Sequence, residues 1–313
     1  MCFFFMEIKF KLLSKKMPFS DKITILFDLS HNEMLNLCEK EFSDFLSLLE
    51  MLNLKIIKNE SNEISKGILK NIDILVIGNP INDFFSNIEI ENILNYVRTG
   101  GSLFLISEYG GDYLQKTNLN DISGNFFNIL FEDNIVKDEN QRNINCSSIL
   151  SVNSFPNHKI TSQLREIIIG GSCSLLLRDN ATTLLKLNDS AWAEKYDDNT
   201  NEWEKKTEKN KFIISACSKF GQGKIITLGD IDIFTNDPNI GINKKDNKKF
   251  ITNIINWLMK PSDESDVIYW TLKRLSSMEK QIKTMGLKIS NIIETITILE
   301  KRISKIENGV ITK

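Results

Sequence analysis

The chain has 313 residues, 41% of them hydrophobic and 26% charged, with a net charge of −2. This length fits one large domain or two small ones, and the near-neutral charge argues against bulk nucleic-acid binding. Five scattered cysteines and two histidines fit a reducing, cytoplasmic environment and argue against a zinc site, so we predict no metal and no cofactor.

Residues 1–20 are predicted to be a disordered N-terminal extension. Their apolar run, Met1–Phe5, is followed closely by Glu7, Lys9 and Lys11. Such a run is too short and too charged for a secretory signal or a membrane span. We therefore expect no direct insertion into a membrane.

Residues 21–260 alternate between short apolar runs and amphipathic patterns, which indicates one α/β domain. The predicted strands are Lys22–Asp28, Lys55–Lys58, Asp73–Ile77 and Ser102–Ile106, and the predicted helices are Ser30 to about Leu52 and Ile88–Arg98. Ser30 and Glu33 have the spacing of a capping box, which predicts the start of the first helix. Strands that are apolar throughout favour a doubly wound, mostly parallel sheet covered by helices on both faces.

The pattern is less regular after residue 120. The predictions are a helix at Ile122–Phe131, strands at Glu166–Leu177, Thr182–Leu187, Phe212–Ser215 and Lys224–Leu228, and a helix at Lys248–Leu258. The charged stretch Asn188–Asn210 carries Trp192, Tyr196 and Trp203, and its centre at Asp197 predicts a hairpin tip or a long loop. These aromatic side chains suit a sugar or protein contact, or the buried side of a hairpin.

Polar residues follow several predicted strands, at the edge where ligands bind in open α/β sheets. The candidate ligand edge comprises His31, Asn79, Glu108, Tyr109, Gly110, Gly111, Asp230, Asp232, Asn236 and Asp237. Carboxylates such as Asp230 and Asp232 can bind a metal or carry acid–base chemistry, but capping of turns and helix starts is the favoured interpretation. The Gly110-Gly111 pair fits an anion site or a tight turn, and His31 fits packing at a helix start.

A heptad repeat marks residues 268–308, after a predicted linker at 261–267. Its apolar seam consists of Leu275, Met278, Ile282, Met285, Ile289, Ile292, Ile296, Leu299, Ile303 and Ile306. Spacings that alternate between three and four residues wind helices into a left-handed coiled coil. This narrow stripe needs a partner helix, so we predict self-association or a hetero coiled coil through 268–308. The alternative is a helix packed on its own domain.

Charges beside the seam predict the orientation of the helices. In a parallel pair, Arg274 faces Glu279 of the other helix and Arg302 faces Glu307. An antiparallel pair would oppose like charges, which is unfavourable. We therefore predict a parallel dimer, and the mixed residues of the second seam series leave a trimer open.

Four segments, which occur in the order expected for a known family, carry a resemblance to it. They are FDLSHNEML at 27–35, LKNIDILVIGNP at 69–80, YVRTGGSLFLISEYGGD at 96–112 and GKIITLGDIDIFTND at 223–237. They resemble the GIFT domain, which is shared by gliding-motility ABC-transporter auxiliary proteins and an intraflagellar-transport complex B subunit. The resemblance covers residues 21–260 and implies a class I glutamine-amidotransferase-like, flavodoxin-like sandwich.

The resemblance also bears on activity. Active amidotransferases carry a cysteine within Gly-x-Cys-x-Gly after a central strand, and Glu108 stands at the matching position here. A carboxylate is a poor acyl nucleophile, and no histidine is placed to activate one. We predict a non-catalytic interaction or scaffold protein of a transport or trafficking-like assembly, with other protein partners. The alternatives are a divergent carboxylate-based hydrolase and a carbohydrate-binding module.

Overall fold

The computed structural model describes residues 22–139, 146–178, 181–206 and 212–259, and, in the tail, 282–283, 285–287 and 289–297. The chain divides into two compact units, Met1–Lys260 and Pro261–Lys313. The predicted extension at 1–20 and linker at 261–267 lie outside the described residues, and so do the seam positions Leu275, Met278, Leu299, Ile303 and Ile306.

The first unit alternates strands and helices through its first half. These elements are β1 (Thr24–Asp28), α1 (Ser43–Met51), β2 (Lys55–Asn59), β3 (Ile74–Gly78), α2 (Asn87–Arg98), β4 (Ser102–Ile106), α3 (Gly111–Gln115) and α4 (Leu119–Phe127). The second half is mostly strands: β5 (Ile129–Phe131), β6 (Asn134–Asp138), β7 (Leu150–Val152), β8 (Ile167–Ile169), β9 (Leu175–Leu177), β10 (Thr182–Lys186), β11 (Ala191–Asp197), β12 (Glu202–Lys206), β13 (Ile213–Phe220), β14 (Gly223–Leu228) and then helix α5 (Asn247–Met259).

Nine of the described strands form one sheet. Their order is β2-β1-β3-β4-β14-β13-β9-β5, with β10 paired to β13. The strands from β2 to β14 pair in parallel, and the pairs made by β13 and β9 are antiparallel. Every residue of β1, β3 and β4 is buried, as expected for strands covered on both faces. The predicted α/β fold with a large, mostly parallel sheet is confirmed.

Helices cover both faces of this sheet. Phe45 of α1 and Phe250 of α5 belong to one core, together with Phe27 of β1. Ile93 of α2 belongs to a second core, together with Leu26 of β1. Leu26 and Phe27 enter different cores because successive strand residues point to opposite faces. Each such buried side chain stabilises the fold by about 1.5–3 kcal/mol.

The predicted first helix begins too early. Residues 29–39 form a loop, a 3-10 turn follows at Lys40–Phe42, and α1 begins at Ser43. Ser30 and Glu33 therefore do not form a capping box. Ser30 Oγ instead donates to Asp28 Oδ1 at 2.8 Å and accepts from Asn59 Nδ2 at 3.1 Å, and Glu33 forms a β-bridge with Pro80.

The helix predicted over Ile122–Phe131 is also wrong in its bounds. It spans Leu119–Phe127 as α4, and Asn128 ends it with a φ of 63°. Asparagine tolerates this left-handed conformation better than most residues. The apolar residues that follow form β5, which pairs with β9.

The charged stretch after Asn188 is a hairpin, as one of the two sequence interpretations predicted. β11 pairs antiparallel with β12, and β6 completes a three-stranded sheet. At the tip, Asp197 Oδ1 accepts a hydrogen bond from the Asn199 amide at 2.8 Å. Short Asx turns of this kind are typical of loop tips.

The described residues of the tail are helical and exposed. The five seam positions among them, Ile282, Met285, Ile289, Ile292 and Ile296, are each between 48% and 62% exposed. The coiled coil itself stays a prediction. None of the helices in the described parts of the chain combines the length and the apolarity that a membrane span requires.

Candidate functional site

Three of the predicted edge residues, Glu108, Asp230 and Asp232, come together as an acidic cluster. β4 and β14 are adjacent and parallel, so the residues that follow them lie side by side. Glu108 is 3% exposed and Asp230 is 0% exposed. Close to them, a Cβ atom on Gly170 would lie 2.4 Å from Asp232 Oδ2, so this position has no room for a side chain.

Backbone amides hold the acidic cluster in place. Glu108 Oε1 accepts from the amide of Tyr109, and Oε2 accepts from the amide of Ile231, both at 3.0 Å. Asp230 accepts from the amides of Asp232 and Ile233, both at 3.2 Å. The Asp230 side chain therefore holds the start of the 3-10 turn Asp232–Phe234, whose N-cap residue, Ile231, makes no side-chain cap hydrogen bond.

The acidic cluster favours protonated carboxyls. Burial raises the pKa of Glu108 well above its usual range, and the charges of Asp230 and Asp232 add to this shift. Burial and then Asp232 raise the pKa of Asp230 to about 7. Each Glu108 oxygen accepts a hydrogen bond from a backbone amide and the residue is buried, which fits a structural group that holds the two loops together.

Asn236 and Asp237 make hydrogen bonds outside the acidic cluster, although the charge of Asp237 adds to the burial that raises the pKa of Asp232. Asn236 Nδ2 donates to Lys40 O and to Ser43 Oγ, both at 2.8 Å, and so fixes the start of α1. Asp237 Oδ1 accepts from the amide of Asn239 at 2.6 Å and forms an Asx turn.

Asn79, Gly110 and Gly111 shape the backbone of the edge. Asn79 ends β3 with a φ of 57°, and its Nδ2 lies 2.8 Å from Met34 Sδ. Gly110 and Gly111 have φ values of 78° and 48°. A Cβ atom on Gly111 would lie 2.7 Å from the carbonyl oxygen of Glu132. Both glycines are thus required by a close-packed turn, the simpler of the two interpretations of this pair.

His31 belongs to a second buried group, which we call the histidine cluster: Asp28, His31, Glu33 and Glu89. His31 Nδ1 lies 2.6 Å from Asp28 Oδ2, and Nε2 lies 3.2 Å from Glu89 Oε1. The ring packs on Phe85, with centroids 4.1 Å apart. Burial lowers the pKa of His31, but the hydrogen bond to Asp28 and the nearby carboxylate charges outweigh it, so the pKa is raised overall.

Sequence reasoning included His31 but missed its carboxylate neighbours. Asp28 is the last residue of β1, so its position at the carboxyl end of a buried strand was a usable signal. Glu89 closes a true capping box with Ser86 at the start of α2. A capping box predicts contacts between Glu89 and Ser86 only. It gave no indication that the other Glu89 oxygen, Oε1, lies close to His31 Nε2.

An aromatic surface joins the edge to the hairpin; we define it as Tyr109, Tyr196 and Trp203. Tyr196 and Trp203 are cross-strand partners with ring centroids 5.5 Å apart. Trp203 also meets Tyr109, with centroids 6.1 Å apart, and Tyr109 is 41% exposed. Tyr109 was predicted at the ligand edge, and Tyr196 and Trp203 in a separate charged stretch. The structure joins these three side chains in one surface. Trp192 lies apart from these rings, under Lys205 Nζ at 4.3 Å.

Comparison with known proteins places the chain in a family. The family described as the IFT52 GIFT domain matches residues 24–184, just over half of the chain. No curated protein matches the chain.

Solved structures show the same fold. The N-terminal domain of mmIFT52 is 18% identical with a TM-score of 0.64, and the match covers 77% of this chain and 99% of that domain. The cytoplasmic protein STM1381 from Salmonella typhimurium LT2 is 16% identical with a TM-score of 0.51, over 76% of this chain and 100% of that protein. The cytoplasmic protein STM3548 from Salmonella typhimurium is 14% identical with a TM-score of 0.51, over 75% of this chain and 98% of that protein. The chain belongs to the IFT52 GIFT domain family.

Proposed function

We propose that this protein is a non-catalytic, cytoplasmic subunit of a transport or trafficking-like assembly, and that it binds a protein partner through the aromatic surface. The observation that carries the proposal is the environment of Glu108. This residue stands where an amidotransferase-like enzyme would carry its nucleophile, yet it is buried and both of its oxygens meet backbone amides. The family supports the same role, because the GIFT resemblance implies binding or scaffolding.

The aromatic surface has the chemistry of a protein interface. Tyrosine and tryptophan are enriched in interface hot spots, because they bury a large area at a low cost in side-chain entropy. Two residues before Tyr196 on β11, Glu194 forms an ion pair with Lys137 at 2.5 Å. An apolar centre with a charged rim is the usual anatomy of a specific, reversible protein contact.

Partner capture tests this surface. Tagged full-length protein would be cross-linked in an extract of its source organism, and the captured proteins quantified by mass spectrometry. Replacing a hot-spot aromatic by alanine costs about 2 kcal/mol or more, so Trp203→Ala should lower the yield of a specific partner at least ~10-fold. Phe84→Ala is the matched control, since Phe84 is a 59% exposed aromatic outside the surface.

If Trp203→Ala captures as much partner as the wild type, the aromatic surface does not bind the partner.

A glycan array with the same two variants, Trp203→Ala and Phe84→Ala, tests the carbohydrate alternative. Glycan binding that depends on Trp203 and not on Phe84 would favour a carbohydrate-binding module over a protein-binding one.

We further propose that the tail assembles copies of the protein as a parallel coiled coil. The support is the exposed apolar seam on the described helical residues, including Ile289 and Ile296.

Light scattering tests this assembly and should give the mass of a dimer or trimer for the wild type. Ile289→Asp combined with Ile296→Asp should give a monomer, because buried unpaired carboxylates disrupt the seam. Ser290→Asp, which adds a charge beside the seam, should keep the wild-type mass. A monomeric wild type would exclude self-association and leave a different protein as the partner helix.

A further inference from the structure

The histidine cluster places three potential metal ligands around one point. Asp28, His31 and Glu33 each offer one ligand atom, and these atoms lie within 4.8 Å of one another. The three residues are 1%, 6% and 7% exposed. In the sheet, β2 lies on one side of β1 and β3 lies on the other, so the chain reverses the direction in which it adds strands. Open α/β sheets bind ligands beside such a switch point, at the carboxyl ends of the strands.

Hydrogen bonds orient both carboxylates toward this point. Asp28 Oδ1 accepts from Asn59 Nδ2 at 2.7 Å and from Ser30 Oγ at 2.8 Å. Glu33 Oε2 accepts from the amide of His31 at 3.1 Å. One oxygen of each carboxylate is therefore held by the protein, which leaves Asp28 Oδ2 and Glu33 Oε1 to face the centre. Between His31 and Glu33, Asn32 has a left-handed φ of 54°, which bends the loop.

Glu89 orients the imidazole in the same way. His31 Nε2 lies 3.2 Å from Glu89 Oε1, and Glu89 Oε2 is fixed by the hydroxyl and the amide of Ser86, both at 2.9 Å. A proton on Nε2 is thus donated to Glu89, and Nδ1 faces the two other carboxylates. Metal-binding histidines usually donate their second ring N–H to a carboxylate in this manner.

One carboxylate oxygen at the centre of the cluster, Glu33 Oε1, lies 3.9 Å from His31 Nδ1, too far for a hydrogen bond. Glu33 Oε1 receives no hydrogen bond from the described part of the chain, although the Glu33 side chain is 0% exposed. Two carboxylate oxygens facing each other in a buried site repel unless a proton or a cation lies between them.

We propose that Asp28 Oδ2, His31 Nδ1 and Glu33 Oε1 bind one divalent transition-metal ion, with Zn²⁺ as the best match. One imidazole with two carboxylates suits Zn²⁺, whereas Mg²⁺ and Ca²⁺ prefer oxygen ligands alone. Two carboxylates also balance the charge of the ion. The ion ties the end of β1 to the loop after it and, through His31 and Glu89, to the start of α2.

This site differs from the sequence prediction of no metal. That prediction rested on the small number of histidines in the chain. One histidine suffices here, because the fold brings Asp28 and Glu33 to it and supplies Glu89 behind it.

Metal titration of the full-length protein tests the site. After chelator treatment, the wild type should bind one equivalent of Zn²⁺ by calorimetry and gain thermal stability on binding. Glu33→Gln removes one ligand charge and should weaken binding at least ~10-fold, a loss like those measured when groups that support metal ligands are changed. Glu89→Gln keeps a capping-box residue at this position and should weaken binding by about 10–100-fold. Glu108→Gln, in the acidic cluster, should leave the affinity unchanged.

A second readout keeps the test valid if a variant folds poorly. Co²⁺ added to the wild type should give visible absorption bands of a nitrogen- and oxygen-ligated ion, and Zn²⁺ should abolish them by displacement. Circular dichroism checks the fold of each variant. A wild type that shows neither Zn²⁺ binding nor Co²⁺ bands, or a folded Glu33→Gln that binds as tightly as the wild type, would overturn the proposal in favour of a shared proton.

Discussion

The histidine cluster and the acidic cluster lie at the same edge of one sheet and bury similar numbers of carboxylates, but their charges are balanced differently. In the acidic cluster, the oxygens of Glu108 and Asp230 meet backbone amides of the loops that carry them. In the histidine cluster, an imidazole stands among three carboxylates and Glu33 Oε1 receives no hydrogen bond from the described residues. The number of buried carboxylates therefore does not by itself identify a binding site, because the groups that surround them differ between the two clusters.

The largest effect is expected from removing the imidazole. His31→Leu leaves Asp28 and Glu89 buried without a cationic partner, so it should lower the free energy of unfolding by about 3–5 kcal/mol. Urea denaturation measures this loss. His158→Leu is the control, because His158 is only half-buried, and it should cost about 1 kcal/mol or less. Equal losses from the two variants would mean that His31 does not balance buried charge.

The contribution of Asp230 to the stability of the fold should decrease as the pH rises. An aspartate that is paired with a cation shows the opposite dependence. Because the folded-state pKa of Asp230 is about 7 and its usual value is 3.8, the folded protein holds this proton more tightly than the unfolded chain. The resulting stabilisation is complete below pH 3.8 and is lost as the pH rises through 7.

Asp230→Asn removes this titration. The stability of the variant relative to the wild type should therefore increase by about 4 kcal/mol between pH 4 and pH 8, measured by denaturation at each pH. A difference that is constant with pH, or that decreases, would show that Asp230 is ionised in the folded protein throughout this range.

A smaller effect is expected where α2 supports the histidine cluster. Ser86→Ala removes the capping hydroxyl and one of the two Ser86 hydrogen bonds to Glu89 Oε2, so it should cost about 1 kcal/mol. Thermal unfolding followed by circular dichroism measures it. Ser86→Thr keeps the hydroxyl and should stay within about 0.5 kcal/mol of the wild type. A neutral Ser86→Ala would contradict the assigned cap.

Local sequence patterns predicted part of this fold, and contacts distant in sequence determine the rest. The apolar runs of β1, β3 and β4 predicted the parallel sheet, because strands buried on both faces leave a clear pattern. The spacing Ser-x-x-Glu occurs at both Ser86 and Ser30, but only Ser86 caps a helix. Ser30 Oγ is held by Asp28 and by Asn59, and the contact with Asn59 is a tertiary one that local spacing does not contain.

The functional groups depended even more on contacts distant in sequence. Asp232, Glu108 and Asp230 were expected at one edge, since residues after adjacent parallel strands meet there. The contact of Tyr109 with Trp203 was not expected, because it joins the loop after β4 to β12 of a different sheet. No periodic pattern reports such a contact.

We propose that the partly exposed aromatic surface binds the protein partner and that the buried carboxyl of Glu108 does not. The most direct measurement is quantitative partner capture by the wild type, Glu108→Gln and Trp203→Ala, each confirmed as folded. The account predicts wild-type partner yields for Glu108→Gln and at least a ~10-fold loss for Trp203→Ala. Loss of partners from Glu108→Gln with normal capture by Trp203→Ala would contradict it.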